Sequence, residues 1–229
     1  MIFRPLHAVF LIFAKIKRVP ALEKISHSPW IQQLYPSCTW TMPAQEMPAV
    51  YLTFDDGPIP EVTPWVLDTL EAYKARATFF CIGENVKRNP EIFRQILQHG
   101  HSVGNHTLTH CNGWKTLYKK YLENVDACHD VFPSTLFRPP YGKLKPLQLR
   151  ALRKKYNIIM WSHLTGDYNQ NLNISKTMED MRLNAGNGSI IVFHDSLKAE
   201  KNLRQLLPQT LDYFASQGYA FHSISPDKK

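Results

Sequence analysis

Ala49-Val50-Tyr51-Leu52-Thr53-Phe54-Asp55-Asp56-Gly57-Pro58 runs from an apolar, β-prone segment straight into two adjacent carboxylates and a Gly-Pro turn. Downstream, Glu61–Tyr73 places Val62, Val66, Leu67 and Leu70 on one helical face. A strand, a polar strand end and an amphipathic helix make one βα unit, and the same grammar repeats toward the C-terminus. Strands are predicted at Ala77–Ile82, His101–Asn105, Leu136–Arg138, Asn157–Trp161, Ser189–His194 and Tyr219–Ile224. Helices are predicted at Asn89–His99 (Pro90 in its first turn), Tyr118–Phe132, Leu147–Lys155, Ile174–Asn184 and Leu203–Gln217. Strands alternating with helices imply an α/β fold with a parallel sheet. About seven such units predict a distorted or incomplete (β/α) barrel. No internal repeat or low-complexity tract interrupts them.

Upstream of this stretch the character changes. Pro29, Pro36, Pro43 and Pro48, with Trp30 and Trp40, read as an irregular segment laid over the domain. Residues 1–25 combine Arg4, Lys15, Lys17, Arg18 and Lys24 with only Glu23, which is half of the chain's net charge of +8. They also carry Ile2, Phe3, Leu6, Val9, Phe10, Leu11, Ile12 and Phe13. Three readings stay open: a helix packed on the domain, a basic amphipathic segment on an anionic membrane surface, or a poor signal peptide lacking a small-residue cleavage site. The division expected is therefore residues 1–48 as an N-terminal helix and irregular extension packed on the domain and 49–229 as the α/β domain itself.

The 229 residues are 44% hydrophobic and 20% charged, a globular balance rather than a disordered one. No stretch approaches the roughly 18 to 20 apolar residues of a membrane-spanning helix. Basic residues are not interleaved with stacking aromatics, which argues against a nucleic-acid partner. Cys38, Cys81, Cys111 and Cys128 form no CxxC pair and read as free thiols, Cys111 being a minor candidate as an extra metal ligand because it follows His110. A monomer is expected.

In a (β/α) barrel the chemistry sits at the C-terminal strand ends. Five polar clusters fall there: Asp55-Asp56-Gly57-Pro58, His106 to His110, Arg138 to Gly142, Trp161 to Tyr168, and His194-Asp195. Each has a bland reading taken alone, as a turn, a helix cap or a surface ion pair. Adjacent carboxylates, however, repel unless a cation or a proton resolves the conflict. His106 and His110, four apart, would share one face of a helical turn and could hold a metal. With one carboxylate they make a two-His-one-carboxylate set with open positions, which also suits an iron oxygenase. Arg138, held on the stiff backbone before two prolines, could keep an aspartate ionised. A carboxylate such as Asp167 near His194 would raise its pKa and make it a usable general acid.

TFDDGP at 53–58, HTLTH at 106–110, RPPYG at 138–142, WSHLTGDY at 161–168 and SIIVFHD at 189–195 occur in that order. As an ordered set they resemble the motifs of the polysaccharide deacetylase family, also called the NodB-homology domain or carbohydrate esterase family 4. The resemblance runs from about Ala49 to Ile224. It implies a distorted barrel of fewer than eight units and a hydrolase removing N-acetyl groups from N-acetylglucosamine-type glycans. It also implies that Asp56, His106 and His110 bind a divalent metal, zinc or cobalt. Asp55 would be the base toward a metal-activated water, His194 the acid toward the leaving amine, Arg138 the support of Asp55 and Asp167 that of His194. The Tyr141 backbone N–H would meet the oxyanion, while Pro139, Tyr168 and Val192 would line the substrate pocket.

Two positions depart from the family pattern: Tyr168 stands where tryptophan is usual, and Val192 where leucine is usual. Both wall the acyl pocket in the family, so acetyl, formyl and O-acetyl groups stay open as substrates. The glycan, including a lipid-linked amino sugar, is also open, and so is the side of the membrane on which the enzyme works. A non-catalytic glycan-binding domain would not need both aspartates and His194; an oxygenase would need a double-stranded β-helix that the pattern does not show.

Overall fold

The computed structural model describes residue 32 and residues 35–225. The expected N-terminal helix within residues 1–25 lies outside the described residues. The chain runs β1 (Ala49–Asp55), α1 (Thr63–Ala72), β2 (Thr78–Cys81), α2 (Gly83–Arg88), α3 (Pro90–Gln98), β3 (Ser102–Asn105), α4 (Tyr118–Val131) and β4 (Leu136–Phe137). It continues through α5 (Pro146–Leu152), β5 (Asn157–Ile158), β6 (His163–Leu164), α6 (Ile174–Asn184), β7 (Ile190–His194), α7 (Glu200–Ser216) and β8 (Ala220–Phe221).

All ladders are parallel, in the order β5-β4-β3-β2-β1-β7-β6, with β8 on the start of β1. This is a curled half-barrel, the distorted α/β barrel that the alternation implied. β1 lies centrally and is buried along its whole length, as a strand covered on both faces must be. Val50, Leu52 and Phe54 face outward into the core with Val66, Leu67 and Leu70 of α1 and Leu203, Leu207, Leu211 and Phe214 of α7. Ala49 and Tyr51 face inward against Phe80, Leu136, Ile159 and Ile190. Each buried Val, Leu, Ile or Phe among these contributes roughly 1.5–3 kcal/mol. Thr53 and Asp55 continue the inward face, so the register that builds the core also aims Asp55 at the barrel mouth.

The sheet does not close between β5 and β6. Chain from the proline-rich segment stitches the gap: Thr39 pairs with Ile159 and Thr41 with Ser189. The Thr39 N–H donates to the Ile158 carbonyl, and the Met42 N–H to the Gly188 carbonyl, each at 2.8 Å. An exposed sheet edge is thereby covered.

Besides end shifts of three residues in α5, α7 and β8, three details differ from the sequence expectation. Gly83–Arg88 is a helix of its own ahead of α3. The strand expected over Asn157–Trp161 stops at Ile158, and a further strand, β6, joins β7 instead. Beyond Ile158 the segment bonds elsewhere: Ile159 bridges Thr39, the Met160 N–H donates to the Thr39 carbonyl, and the Arg138 guanidinium takes the carbonyls of Ile159 and Met160. Finally, residues 106–110 are not a helical turn. Thr107 and His110 have φ of 65° and 55°, which bend the segment into an irregular loop. The side chains of Asn105 and Asn124 accept the N–H groups of Thr107 and Leu108 and hold the loop in this form.

Candidate active site

β1 ends in Asp55, which pairs in register with His194 at the end of β7. The Asp56 backbone sits at φ 85°, held there by Asn85, whose amide donates to the Asp56 carbonyl at 2.7 Å. Gly57 follows, and a Cβ at that position would lie 1.9 Å from Asp195 Oδ2. The Asp195 carboxylate accepts the Gly57 N–H at 3.0 Å and the Thr63 hydroxyl at 2.6 Å, tying the loop to the start of α1. Burial pushes the Asp195 carboxyl up to about 8, while those two donors pull the other way. Asp56, Thr107, His110 and Tyr141 all adopt positive φ at this mouth, and strain of this kind concentrates at functional sites.

Asp56, His106 and His110 present ligand atoms within 4.8 Å of one another. His110 Nε2 is 3.2 Å and His106 Nε2 3.7 Å from Asp56 Oδ1. His106 Nδ1 lies 2.8 Å from the Arg138 carbonyl, which only accepts, so Nδ1 carries the hydrogen and Nε2 a lone pair. Burial lowers the His106 pKa to about 4, outweighing the nearby carboxylates. Its neutral lone pair therefore faces a carboxylate oxygen that is buried and has no hydrogen-bond partner. A buried unpaired acceptor is costly, and a divalent cation held between Asp56 Oδ1 and the two histidine Nε2 atoms would satisfy it. Tetrahedral zinc with bonds of about 2.0–2.1 Å separates its ligand atoms by ~3.3 Å, close to the spacing here. The donor set fits such an ion. Cys111 is not part of it; its N–H donates to Thr107 Oγ1 and its side chain packs on the Tyr121–Phe137 cluster.

Arg138, wholly buried, reaches Asp55 Oδ1 and Thr53 Oγ1 with Nη1, each at 2.8 Å. Its remaining donors go to Ile159 and Met160, and its guanidinium lies 4.1 Å from the Phe80 ring centroid. Burial alone would raise the Asp55 pKa, but Arg138, His106 and His194 together hold it below the ordinary carboxylate range. At the other side His194 Nδ1 is 2.7 Å from Asp167 Oδ1, and Asp167 is fully buried. Burial opposes a charged His194, yet Asp167 prevails and raises its pKa to about 9. Tyr168 packs edge-on against His194, ring centroids 5.0 Å apart, and Tyr141 lies 4.6 Å from His110. Val192 is buried on the inward face of β7, two residues before His194. Pro139 lines a small cavity with Tyr35, Cys38, Trp40 and Met160 under the stitched N-terminal segment.

Sequence reasoning did not single out Thr53, Asn85, Asp195 or Asn202 as site residues. Asn202 donates to the Asp167 and Asn169 carbonyls, both at 2.8 Å, and so fixes the Asp167 loop. A polar residue on an otherwise apolar strand or helix face was the one available signal for Thr53 and Asn202.

A parallel half-barrel whose mouth gathers an Asp-His-His set, an Arg-held aspartate and a His–Asp pair belongs to the hydrolytic α/β barrels. The model of the polysaccharide deacetylase family matches residues 43–160, just over half of the chain. Peptidoglycan-N-acetylglucosamine deacetylase from Bacillus cereus is 34% identical over 194 residues, covering 82% of this chain and 91% of its own length. Peptidoglycan-N-acetylglucosamine deacetylase PgdA from Listeria monocytogenes is 36% identical over 182 residues, 76% of this chain, but the chain spans only 38% of that relative. Among solved structures, peptidoglycan deacetylase PdaC from Bacillus subtilis superposes with a TM-score of 0.70 at 28% identity, covering 78% of this chain and 89% of that one. The chain belongs to the polysaccharide deacetylase family, also known as NodB-homology or carbohydrate esterase family 4, and is a hydrolase.

Proposed function

We propose that this protein removes N-acetyl groups from N-acetylglucosamine residues of a peptidoglycan-type glycan, using zinc or cobalt held by Asp56, His106 and His110. The observation that carries this is Asp56 Oδ1, buried without a hydrogen-bond partner and approached by two histidine Nε2 atoms, beside an Arg-held Asp55. The names of the relatives point to the glycan.

A divalent cation in this set would lower the pKa of a water and polarise the acyl oxygen. Asp55, kept ionised by Arg138, takes the proton from the attacking water. Held below the ordinary range it is a weak base, so it serves by position as much as by proton affinity. The backbone N–H of Tyr141, on its positive-φ turn, donates to the developing oxyanion. Asp167 keeps His194 protonated, and Nε2 delivers that proton to the departing nitrogen as the C–N bond breaks. Acetate and a free amino sugar result. Tyr168, beside His194, and Val192, on the inward face below it, would line the acyl pocket, and Pro139 would stiffen the turn that carries Tyr141.

The test is an assay of metal-reconstituted protein on N-acetylglucosamine oligomers, peptidoglycan fragments and formamido sugars, reading released acid. Acetate release from the first two supports the reading. Formate release alone would move it to a deformylase, and no release with metal bound would point to a glycan-binding domain.

A further inference from the structure

Two lysines lie over tyrosine rings on opposite flanks of the mouth. On one flank, after β4, Lys143 Nζ sits 5.8 Å from the Tyr141 ring and 5.5 Å from that of Trp114, so an aromatic shelf runs outward from His110 through Tyr141 and Lys143 to Trp114. Trp114 is 49% exposed. On the other flank Lys198, after β7, places its Nζ 5.5 Å from the ring of Tyr168, after β6. Tyr168, Asn169, Gln170 and Lys198 line an open recess of about 450 Å³ next to His194. β4 and β6 stand on opposite sides of β1 in the sheet order, so the two shelves bracket Asp55 and Asp56.

Both shelves are built rather than incidental. Gln148 is fully buried; it donates to the Gly113 carbonyl and accepts the Lys145 N–H, clamping the Trp114 loop to the Lys143 loop. A Cβ at Gly113 would lie 2.2 Å from the Lys143 carbonyl, so only glycine permits that approach. Across the mouth, Gln170 donates to the Lys198 carbonyl at 2.7 Å and fixes the recess wall.

The geometry points to an extended glycan cleft in which Trp114 supports a sugar flanking the reacting residue, and Lys143 and Lys198, the latter over the outer side of the Tyr168 ring that borders the acyl pocket, read carboxylates carried by the neighbouring sugars. This rests on the proposed deacetylase reading and adds what the flanking subsites select. Flat rings offer broad apolar faces to sugar C–H groups with little entropy to lose. An ammonium held over a ring is positioned by it and keeps its donors for an anion, which it meets as a point charge. Among the described residues neither ammonium has an ion-pair partner, and a strand with acidic substituents on alternate sugars would supply one to each.

A matched pair of substrates tests this: one peptidoglycan fragment with free carboxylates and the same fragment amidated. Wild-type protein should prefer the free acid in kcat/KM, and the preference should shrink as salt rises. Lys143→Ala and Lys198→Ala should each reduce the preference about threefold and the double variant about tenfold, while Trp114→Ala should raise KM for both fragments alike. A salt-independent rate equal on both fragments, or a preference intact in the double variant, overturns the cleft while leaving the deacetylase reading standing. If neither fragment is deacetylated, that reading fails first, and calorimetric binding of the two fragments then decides: tighter binding of the free acid supports the cleft and equal affinity overturns it.

Discussion

His194 is bonded twice to one carboxylate: Asp167 Oδ1 meets its Nδ1 and Asp167 Oδ2 its backbone N–H, each at 2.7 Å. Ring and main chain are thus fixed by the same buried group, and the ring's pKa rises from 6.5 to about 9. As the proposed acid, His194 works while protonated, so the alkaline limb of kcat/KM should fall near pH 9 in the wild type. In Asp167→Asn the limb should move acidward by about one to three pH units. Stability should follow the same sign. A histidine whose pKa is raised on folding stabilises fully below 6.5 and loses that contribution as pH climbs to about 9. Urea midpoints from pH 6 to 10 should show the decline in wild type and little of it in the variant.

Arg138 is the next point of leverage. It is wholly buried and hydrogen-bonded to Thr53, Asp55, Ile159 and Met160. Arg138→Ala leaves the Asp55 charge buried without its partner and should cost about 3–5 kcal/mol in urea unfolding. Arg138→Lys keeps a charge but cannot span four acceptors, so its loss should fall between wild type and Ala. A loss below about 1 kcal/mol in the alanine variant would contradict this account of the pair. The lowered Asp55 pKa adds a pH signature: its contribution is present above 3.8 and disappears as pH falls below it.

Gly57 has no room for a side chain. A Cβ would enter the Asp195 carboxylate at 1.9 Å, and that carboxylate is itself held by Thr63. Gly57→Ala should therefore displace the loop that carries Asp56, lowering metal affinity at least about tenfold and stability by about 1–3 kcal/mol. Metal titration and thermal melting measure the two separately. An alanine variant with wild-type metal affinity would show that the loop can yield without moving Asp56.

These constraints show which parts of the molecule were legible in its sequence. The strand–helix alternation is periodic, so β1, β3, α1, α4 and α6 appear within a residue or two of their expected limits. Strand-end clusters follow from the barrel rule, and the structure brings Asp55, Asp56, His106, His110, Arg138, Asp167 and His194 to one mouth. The bent form of residues 106–110 was not legible, because it depends on Asn124 from a distant helix. The split of Asn157–Trp161 was equally hidden, since Ile159 and Met160 bond to Arg138, 21 and 22 residues back, and to Thr39 far upstream. Local periodicity cannot report hydrogen bonds made across the fold.

The metal set offers the sharpest separation of roles. Asp55 lies against Arg138, whereas Asp56 Oδ1 faces the two histidines, so the adjacent carboxylates should respond differently to substitution. Asp55→Asn should retain zinc and lose about 10²–10⁴ in kcat, as expected for a positioned proton-transfer group. His110→Ala should lose both zinc and turnover, because two donors leave the ion too few protein ligands. Stability carries the same information without any turnover. Zinc that binds only the folded chain, supplied at a thousand times its Kd, should stabilise wild type and Asp55→Asn by about 4 kcal/mol, and a chelator should remove this. His110→Ala should show no such zinc-dependent shift. If Asp55→Asn lost its zinc-dependent shift as well, Asp55 would have to be counted among the ligands, and the split between the two aspartates would fail.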